Sequence, residues 1–309
     1  MRKRRGDPVH GWIVVDKPAG MSSAHVVAVV RRIMRAAKAG HAGTLDPLAT
    51  GVLPVALGEA TKTVSYVVDG SKEYRFTVRW GEARATDDGE GAVTATSPCR
   101  PGRAAIEAAL PAFTGDILQA PPAYSAVKID GQRAYALARA DQPVAPPPRP
   151  IRIDSLALAD LPDPDHAVFT VRCGKGAYVR GLARDMAVRL GTVGHASAIR
   201  RTRVGPFGED RAISLDKLAA LGHSAAPVEC LVPVATALDD IPALALTAAQ
   251  AAHLKHGRAV RVTGTGGRTF ADIGNLAEGH VLCAMADGQP VALARLEAGE
   301  IRPLRVLNL

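Results

Sequence analysis

Residues 41–55 read HAGTLDPLATGVLPV and set a single carboxylate, Asp46, among small, glycine-spaced and apolar residues. No second acid lies within this stretch. A lone aspartate in such surroundings is a candidate for chemistry that uses a single carboxylate. Desolvation in a dry pocket raises a carboxylate pKa, and a paired arginine would offset the rise. The same residues also fit a common helix start, with Asp46 as N-cap and Pro47 at the first helical position. Pro47 pushes Asp46 out of helical geometry under either reading. Gly43 and Gly51 allow backbone or a ligand to approach closely.

Three longer stretches carry a resemblance. GWIVVDKPAGMSS (11–23), the 41–55 segment and LGEATK (57–62) follow one another in the order and spacing of the TruB family, without a gap from residue 11 to about 62. APPAYSAVKIDGQRAY (120–135) resembles that family's third signature segment. GAYVRG (176–181) resembles the family motif that places a tyrosine and an arginine beside the aspartate. The family consists of tRNA pseudouridine synthases that act on the T-loop uridine at position 55.

The resemblance implies a reaction and a role for each matching residue. Pseudouridine formation breaks the N1–C1′ glycosidic bond, rotates the uracil and rejoins it through C5. The target base must leave its stack before either C1′ or C6 can be reached. Asp46 would be the nucleophile, either adding at uracil C6 or working at C1′, by direct attack or acid–base chemistry through a glycal. Arg180 would pair with it, because a planar, permanently charged guanidinium suits this better than lysine. Tyr74, in KEYRF (72–76), would stack on the flipped uracil, and its hydroxyl would help the proton transfer that ends at C5. Base–aromatic stacking is worth ~1–3 kcal/mol, enough to offset part of the cost of extrusion. Tyr178 would form a second wall. His41 would enter the RNA loop where the base had been. Ile199 occupies an apolar pocket position where the family usually has leucine, a swap that keeps volume. Arg200, Arg201 and Arg203 would contact phosphates, while Lys17 and the serine pair Ser22 and Ser23 read as structural. The reaction needs neither a metal nor a redox cofactor.

One segment departs from the pattern. After Trp80 and Gly81 the family commonly has two Thr-containing acidic steps before a glycine. Here residues 82–91 read EARATDDGEG, with Arg84 and Ala85 in the first step and only the second intact. The resemblance therefore does not extend to the local loop contacts.

The elements that must position these residues follow from periodicity and breakers. Residues 11–16 read as a short buried strand and 17–20 as a turn. Ser22 or Ser23 then caps a helix with Val26, Val29, Val30, Ile33 and Met34 on its apolar face. Arg31, Arg32, Arg35 and Lys38 occupy the rest, a solvated or RNA-facing surface. Residues 59–68 and 101–113 look helical, 73–80 alternate like a strand, strands resume at 151–158 and 167–173, and 182–190 are helical. Residues 143–150 are proline-rich, so 120–150 reads as an excursion from the sheet, which the resemblance makes a thumb over the RNA. The pattern predicts an α/β (α+β) fold with a central sheet and flanking helices. The resemblance adds the pseudouridine synthase fold with its mixed, largely antiparallel sheet. Residues 1–237 would form the catalytic domain. Residues 238–309 would form a PUA-like RNA-binding barrel, with a helix capped by Thr247 and β-prone pieces at 259–262, 280–286 and 291–296.

Composition bounds the function classes. At 309 residues, with 47% apolar residues, the chain has a full-size core plus a second small domain. Thirty-eight Lys and Arg against 30 Asp and Glu give +8, which suits a polyanionic partner. Cys99, Cys173, Cys230 and Cys283 are far apart and form no CxxC pair, so they read as reduced thiols of a cytoplasmic protein. No apolar run approaches membrane-spanning length, and no signal-type segment follows the basic residues 1–5. No phosphate-loop or metal spacing is found, which disfavours a small-molecule enzyme. The expected partner is the T stem-loop of tRNA, bound by a monomer that requires no protein partner and no membrane. A non-catalytic RNA binder or folding chaperone would use the same surface, and a chaperone role could coexist with catalysis. The compact length, without long lysine-rich tails, favours a stand-alone bacterial type over a guide-RNA-dependent relative.

Overall fold

The structure, a computed structural model, describes residues 6–125, 127–129, 131–134, 146–222, 227–261 and 277–309. Much of the expected thumb, the basic segment 1–5 and part of the expected C-terminal barrel therefore lie outside the described residues.

The main sheet contains ten strands. They are β1 (Gly11–Lys17), β2 (Ala39–His41), β3 (Thr50–Leu57), β4 (Lys72–Trp80), β7 (Gly115–Gln119), β10 (Arg149–Asp163), β11 (His166–Cys173), β12 (Gly194–Val204), β13 (Phe207–Gly208) and β14 (Ile213–Ser214). Between these lie two hairpins, β5 (Glu82–Arg84) with β6 (Val93–Thr96), and β8 (Lys128–Ile129) with β9 (Gln132–Arg133). The order is β14-β1-β3-β12-β4-β11-β10-β7, with β2 added to β3 and β13 to β12. Only β1–β14 and β3–β12 run parallel, so the sheet is mixed and largely antiparallel. The expected fold class holds.

Alternation explains why β1 and β3 read as unbroken apolar runs rather than alternating ones. Ile13, Val15, Leu53, Val55 and Leu57 face one core, while Trp12, Val14, Val52 and Ala56 face another. A strand buried on both faces has no solvent side on which to place polar residues. The first core is closed by helix α1 (Ser23–Ile33), through Val26 and Val30, and by α4 (Val179–Arg189), through Leu182 and Met186. Two further helices, α2 (Val64–Asp69) and α3 (Arg103–Ala109), lie between these in the chain. The helix expected over 59–68 divides at Thr63 into a 3-10 turn, Gly58–Lys62, and α2.

Helix α5 (Leu215–Gly222) precedes a five-stranded C-terminal sheet. Its strands are β15 (Ala243–Ala245), β16 (Val260–Arg261), β17 (Val281–Ala286), β18 (Gln289–Glu297) and β19 (Glu300–Val306), with helix α6 (Ala248–Lys255) beside them. Thr247 caps α6 through a capping box with Gln250, as its sequence predicts. This sheet is curled and compatible with a PUA-like barrel without closing one among the described residues. It seats Cys283, Leu293 and Leu307 on the second core, against Trp12, Val14 and Phe207. Each fully buried side chain of that size contributes roughly 1.5–3 kcal/mol, so the two sheets hold together as one packed body.

Candidate active site

The chain that carries Asp46 leaves β2 at His41 and re-enters the sheet at Thr50 without forming a helix. Asp46 is therefore not an N-cap, and its carboxylate is not consumed by backbone donors of a following helix. Instead the loop is gripped from outside. Ser22 caps α1 by accepting from His25 N, which turns the next residue, Ser23, inward. The buried Ser23 hydroxyl accepts from Leu45 N (2.8 Å) and donates to Leu45 O (3.0 Å). Lys17, fully buried, donates its three ammonium hydrogens to the carbonyls of Pro18 (2.9 Å), Met21 (2.7 Å) and Pro47 (3.0 Å). Burial lowers its pKa from 10.5 to about 8, against the opposing charge of Asp46.

Two glycines are required by this geometry. Gly51 has φ +97°, and a Cβ there would lie 2.2 Å from Arg201 O, where β3 and β12 meet for only two residue pairs. Gly43, at φ +95°, lets the Arg201 side chain pass. Arg201 is itself buried and donates to Val52 O (2.8 Å) and Gly43 O (3.0 Å). The expected phosphate contact is thus corrected for Arg201, a structural pin of the Asp46 loop. Arg200 is likewise engaged, bidentate on Asp16 at 3.0 and 3.2 Å and paired with Glu209. Arg203 remains half-exposed, 3.9 Å from Glu73.

Strand register gathers the pocket walls. In the β4–β12 pairing Tyr74 lies opposite Arg201 and Phe76 opposite Ile199. Paired residues and their i+2 neighbours share one face, so Tyr74, Phe76, Ile199 and Arg201 point the same way. Burial pushes the Tyr74 hydroxyl pKa up, with the Arg201 charge opposing, so the phenol stays protonated near neutrality. At the start of α4, Gln119 accepts from Tyr178 N (2.8 Å) and donates to Tyr178 O (3.0 Å). This pair of hydrogen bonds aligns Tyr178 at the N-cap and Arg180 in the first turn.

Arg180 is 5% exposed at its side chain, and its Nε lies 2.9 Å from Asp46 Oδ2, whose carboxylate is 39% exposed. Nε is not aimed along a hydrogen-bond axis at that oxygen, so the contact is an ion pair. The other arms of the guanidinium donate to Thr86 O (2.7 Å) and Tyr124 O (2.9 Å), and Nη1 lies 3.4 Å from buried Asp88 Oδ2. Asp88 is held by Thr86 Oγ1 and by Glu90 N (3.0 Å). A cavity of about 450 Å³ opens over this pair, and Asp46, Tyr74, Tyr178, Arg180 and Ile199 all line it. It is large enough for a flipped nucleoside, with the Asp46 carboxylate reachable beside Arg180, aromatic walls, apolar residues such as Ile199, and exposed Glu90 also in its lining. His41 lies outside the lining, at the end of β2 opposite Val55. Its pKa is lowered by burial and then by the Arg201 charge, which keeps the imidazole neutral.

Sequence reasoning missed Asp88 and Gln119, placed Arg201 on phosphates instead of on the Asp46 loop, and read Lys17 and Ser23 as structural without locating their grip on that loop. Only Asp88 left a usable signal, as an acid beside Asp87 in the segment that departs from the family pattern.

Comparison with known proteins agrees with this architecture. A family model described as "TruB family pseudouridylate synthase (N terminal domain)" matches residues 31–179, and one described as "tRNA pseudouridylate synthase B C-terminal domain" matches 180–239. A protein of Rhodospirillum rubrum named tRNA pseudouridine synthase B is 54% identical over 100% of this chain and 99% of its own length. One of the same name from Bradyrhizobium diazoefficiens is 57% identical over 100% of this chain and 88% of its own. Among solved structures, a Cbf5-Nop10-Gar1 complex contains a chain 25% identical, with TM-score 0.74 over 97% of this chain and 85% of that one. With its fold, motifs and whole-length relatives in agreement, the chain belongs to the TruB family of pseudouridylate synthases.

Proposed function

We propose that this chain converts a uridine of tRNA, at position 55 in the T loop, to pseudouridine, with Asp46 as the nucleophile. The observation that carries the reading is the Arg180–Asp46 pair, a buried cation against a reachable carboxylate in a cavity walled by Tyr74 and Tyr178. The flipped uracil stacks on Tyr74, and Ile199 and Tyr178 exclude water around it. The carboxylate acts with the base in the cavity, N1–C1′ breaks, the ring turns, C5–C1′ forms, and the hydrogen on C5 leaves as a proton. N1 takes up a proton as C5 loses one, so atoms balance without a co-reactant, as an isomerisation requires. Tyr74 lines the cavity with its phenol protonated near neutrality, so it relays the proton from C5, accepting it as it passes its own to solvent. His41 occupies the space that the extruded base leaves in the RNA loop.

Residues 1–237 form the catalytic unit, and 238–309 a second RNA-contacting unit. The chain acts on tRNA in the cytoplasm as a monomer without a required protein partner. Among the described residues no helix is long and apolar enough to cross a membrane.

Tritium release from a tRNA transcript labelled at uridine C5 tests the reading. Release by the wild type at one T-loop uridine, abolished in Asp46→Asn with tRNA binding retained, is expected. Tight binding without release by either protein would overturn it and leave an RNA binder or folding chaperone.

A further inference from the structure

The loop that holds Arg180 is tied at its tip to β12, where Ala196 N donates to Asp87 O (3.0 Å), and must be closed at its base as well. Strands β5 and β6 pair through Arg84 and Val93, and the chain between them supplies Thr86 O and Asp88 Oδ2 to Arg180. That chain contains Gly89 and Gly91, which lose the most conformational freedom on ordering. It also holds Asp87 at φ +58°, and it brings Asp88 onto the same guanidinium as Asp46, two like charges on one cation. Arg184 pairs with the neighbouring Asp87 at 2.7 Å.

Arg84 closes the base of the loop. Its Nε donates to Glu82 Oε1 at 2.6 Å, and Nη2 lies 2.5 Å from the same oxygen. Its Nη1 donates across the loop to Gly89 O (3.2 Å) and Gly91 O (3.0 Å). One planar guanidinium thus joins the first strand of the hairpin to the limb that follows Asp88 directly. An ammonium is a point charge and does not span both sides. Arg84 stands where the family pattern has a Thr-containing acidic step and this chain does not.

We propose that Arg84 is a positioning residue for the isomerisation in this chain: by tying Glu82 to Gly89 and Gly91 it keeps Thr86 and Asp88 on Arg180, and Arg180 on Asp46. The inference rests on the reaction proposed above. Arg84 does not line the cavity, and its guanidinium is taken up by Glu82, Gly89 and Gly91, so its expected effect is on the rate of the chemical step and not on tRNA affinity.

Single-turnover rates and tRNA dissociation constants of the wild type, Arg84→Met, Arg84→Lys, Asp88→Asn and Arg84→Met/Asp88→Asn test this. Arg84→Met is expected to slow the step about tenfold with affinity within about twofold, and Arg84→Lys to recover little of the loss. Coupled residues are non-additive, so Arg84→Met should cost almost nothing further in the Asp88→Asn background. A second readout is free of turnover: the Arg180 Nε–H resonance of the RNA-free protein, identified by its absence in Arg180→Lys, should shift or broaden in Arg84→Met. A rate within twofold of wild type, a loss in affinity instead of rate, full additivity with Asp88→Asn, or an unmoved Arg180 resonance would each overturn the proposal. If the wild type itself makes no pseudouridine, the reaction reading fails, and the resonance still decides whether Arg84 places Arg180.

Discussion

Lys17 shows how a buried charge can serve a neighbouring carboxylate without touching substrate. Its three donors meet three carbonyls, one of them that of Pro47, which follows Asp46. Its pKa falls from 10.5 to about 8, chiefly through burial. Because the folded pKa lies below the unfolded one, the folded chain binds fewer protons than the unfolded chain between about pH 8 and 10.5. This group by itself therefore makes stability rise with pH across that window. The neutral amine, however, keeps only two donors for three carbonyls, and the Asp46 loop loses an anchor. Turnover is expected to fall through an apparent pKa of about 8 while the protein stays folded. Single-turnover rates from neutral to alkaline pH, with melting followed in parallel, check this. An alkaline limb that persists unchanged in Lys17→Met would remove Lys17 from it.

At the scale of elements, the site exists because β3 and β12 touch briefly and then part. Only Thr50 and Gly51 pair with Arg200 and Arg201, and the cavity opens where the two strands diverge. Gly51 permits that contact: φ +97° disfavours any side chain, and a Cβ would strike Arg201 O. Gly51→Ala is expected to destabilise the fold by about 2 kcal/mol or more, from backbone strain plus the displaced strand. Urea unfolding measures it, and a midpoint equal to wild type would show that the sheet relaxes at no cost. The helices have a related role. Helix α1 is apolar toward the core through Val26 and Val30, and its cap places Ser23 on the active loop. Helix α4 begins where Gln119 fixes Tyr178, so a core-packing helix also aims Arg180.

The whole molecule presents a basic surface to a polyanion, with a net charge of +8. Many arginines are already matched by acids, as Arg152 is by Asp116 and Asp154, whereas Arg31 and Arg32 on α1 stand exposed. If tRNA covers four or more phosphates on such cations, log Kd should rise with log salt with a slope of at least about 3, at roughly 0.7–0.9 per phosphate. Titration of tRNA binding against potassium chloride reads the slope, and a value below about 1 would sink the electrostatic model. The LGEATK segment helps hold the two sheets together: Lys62 donates to Val306 O (2.7 Å), and Glu59 accepts from Asn308 N (2.9 Å). What the linear chain determined by itself was which residue types stand at which spacings. Periodicity was enough to outline β1, β4, β10, β11, α1 and α6 and to indicate the fold class, and the family resemblance those spacings carry named His41, Asp46, Tyr74, Tyr178, Arg180 and Ile199 as candidates. Periodicity did not reveal β12 as a strand, because a run with arginines at 200, 201 and 203 reads as solvated charge. Tertiary structure alone decided that Asp46 caps no helix, that Arg201 is interior and Arg203 is not, and that Asp88 and Arg84 belong to the same network as Arg180. Burial and partnership are through-space properties, and residues far apart in the chain acquire them only when the sheet closes around them.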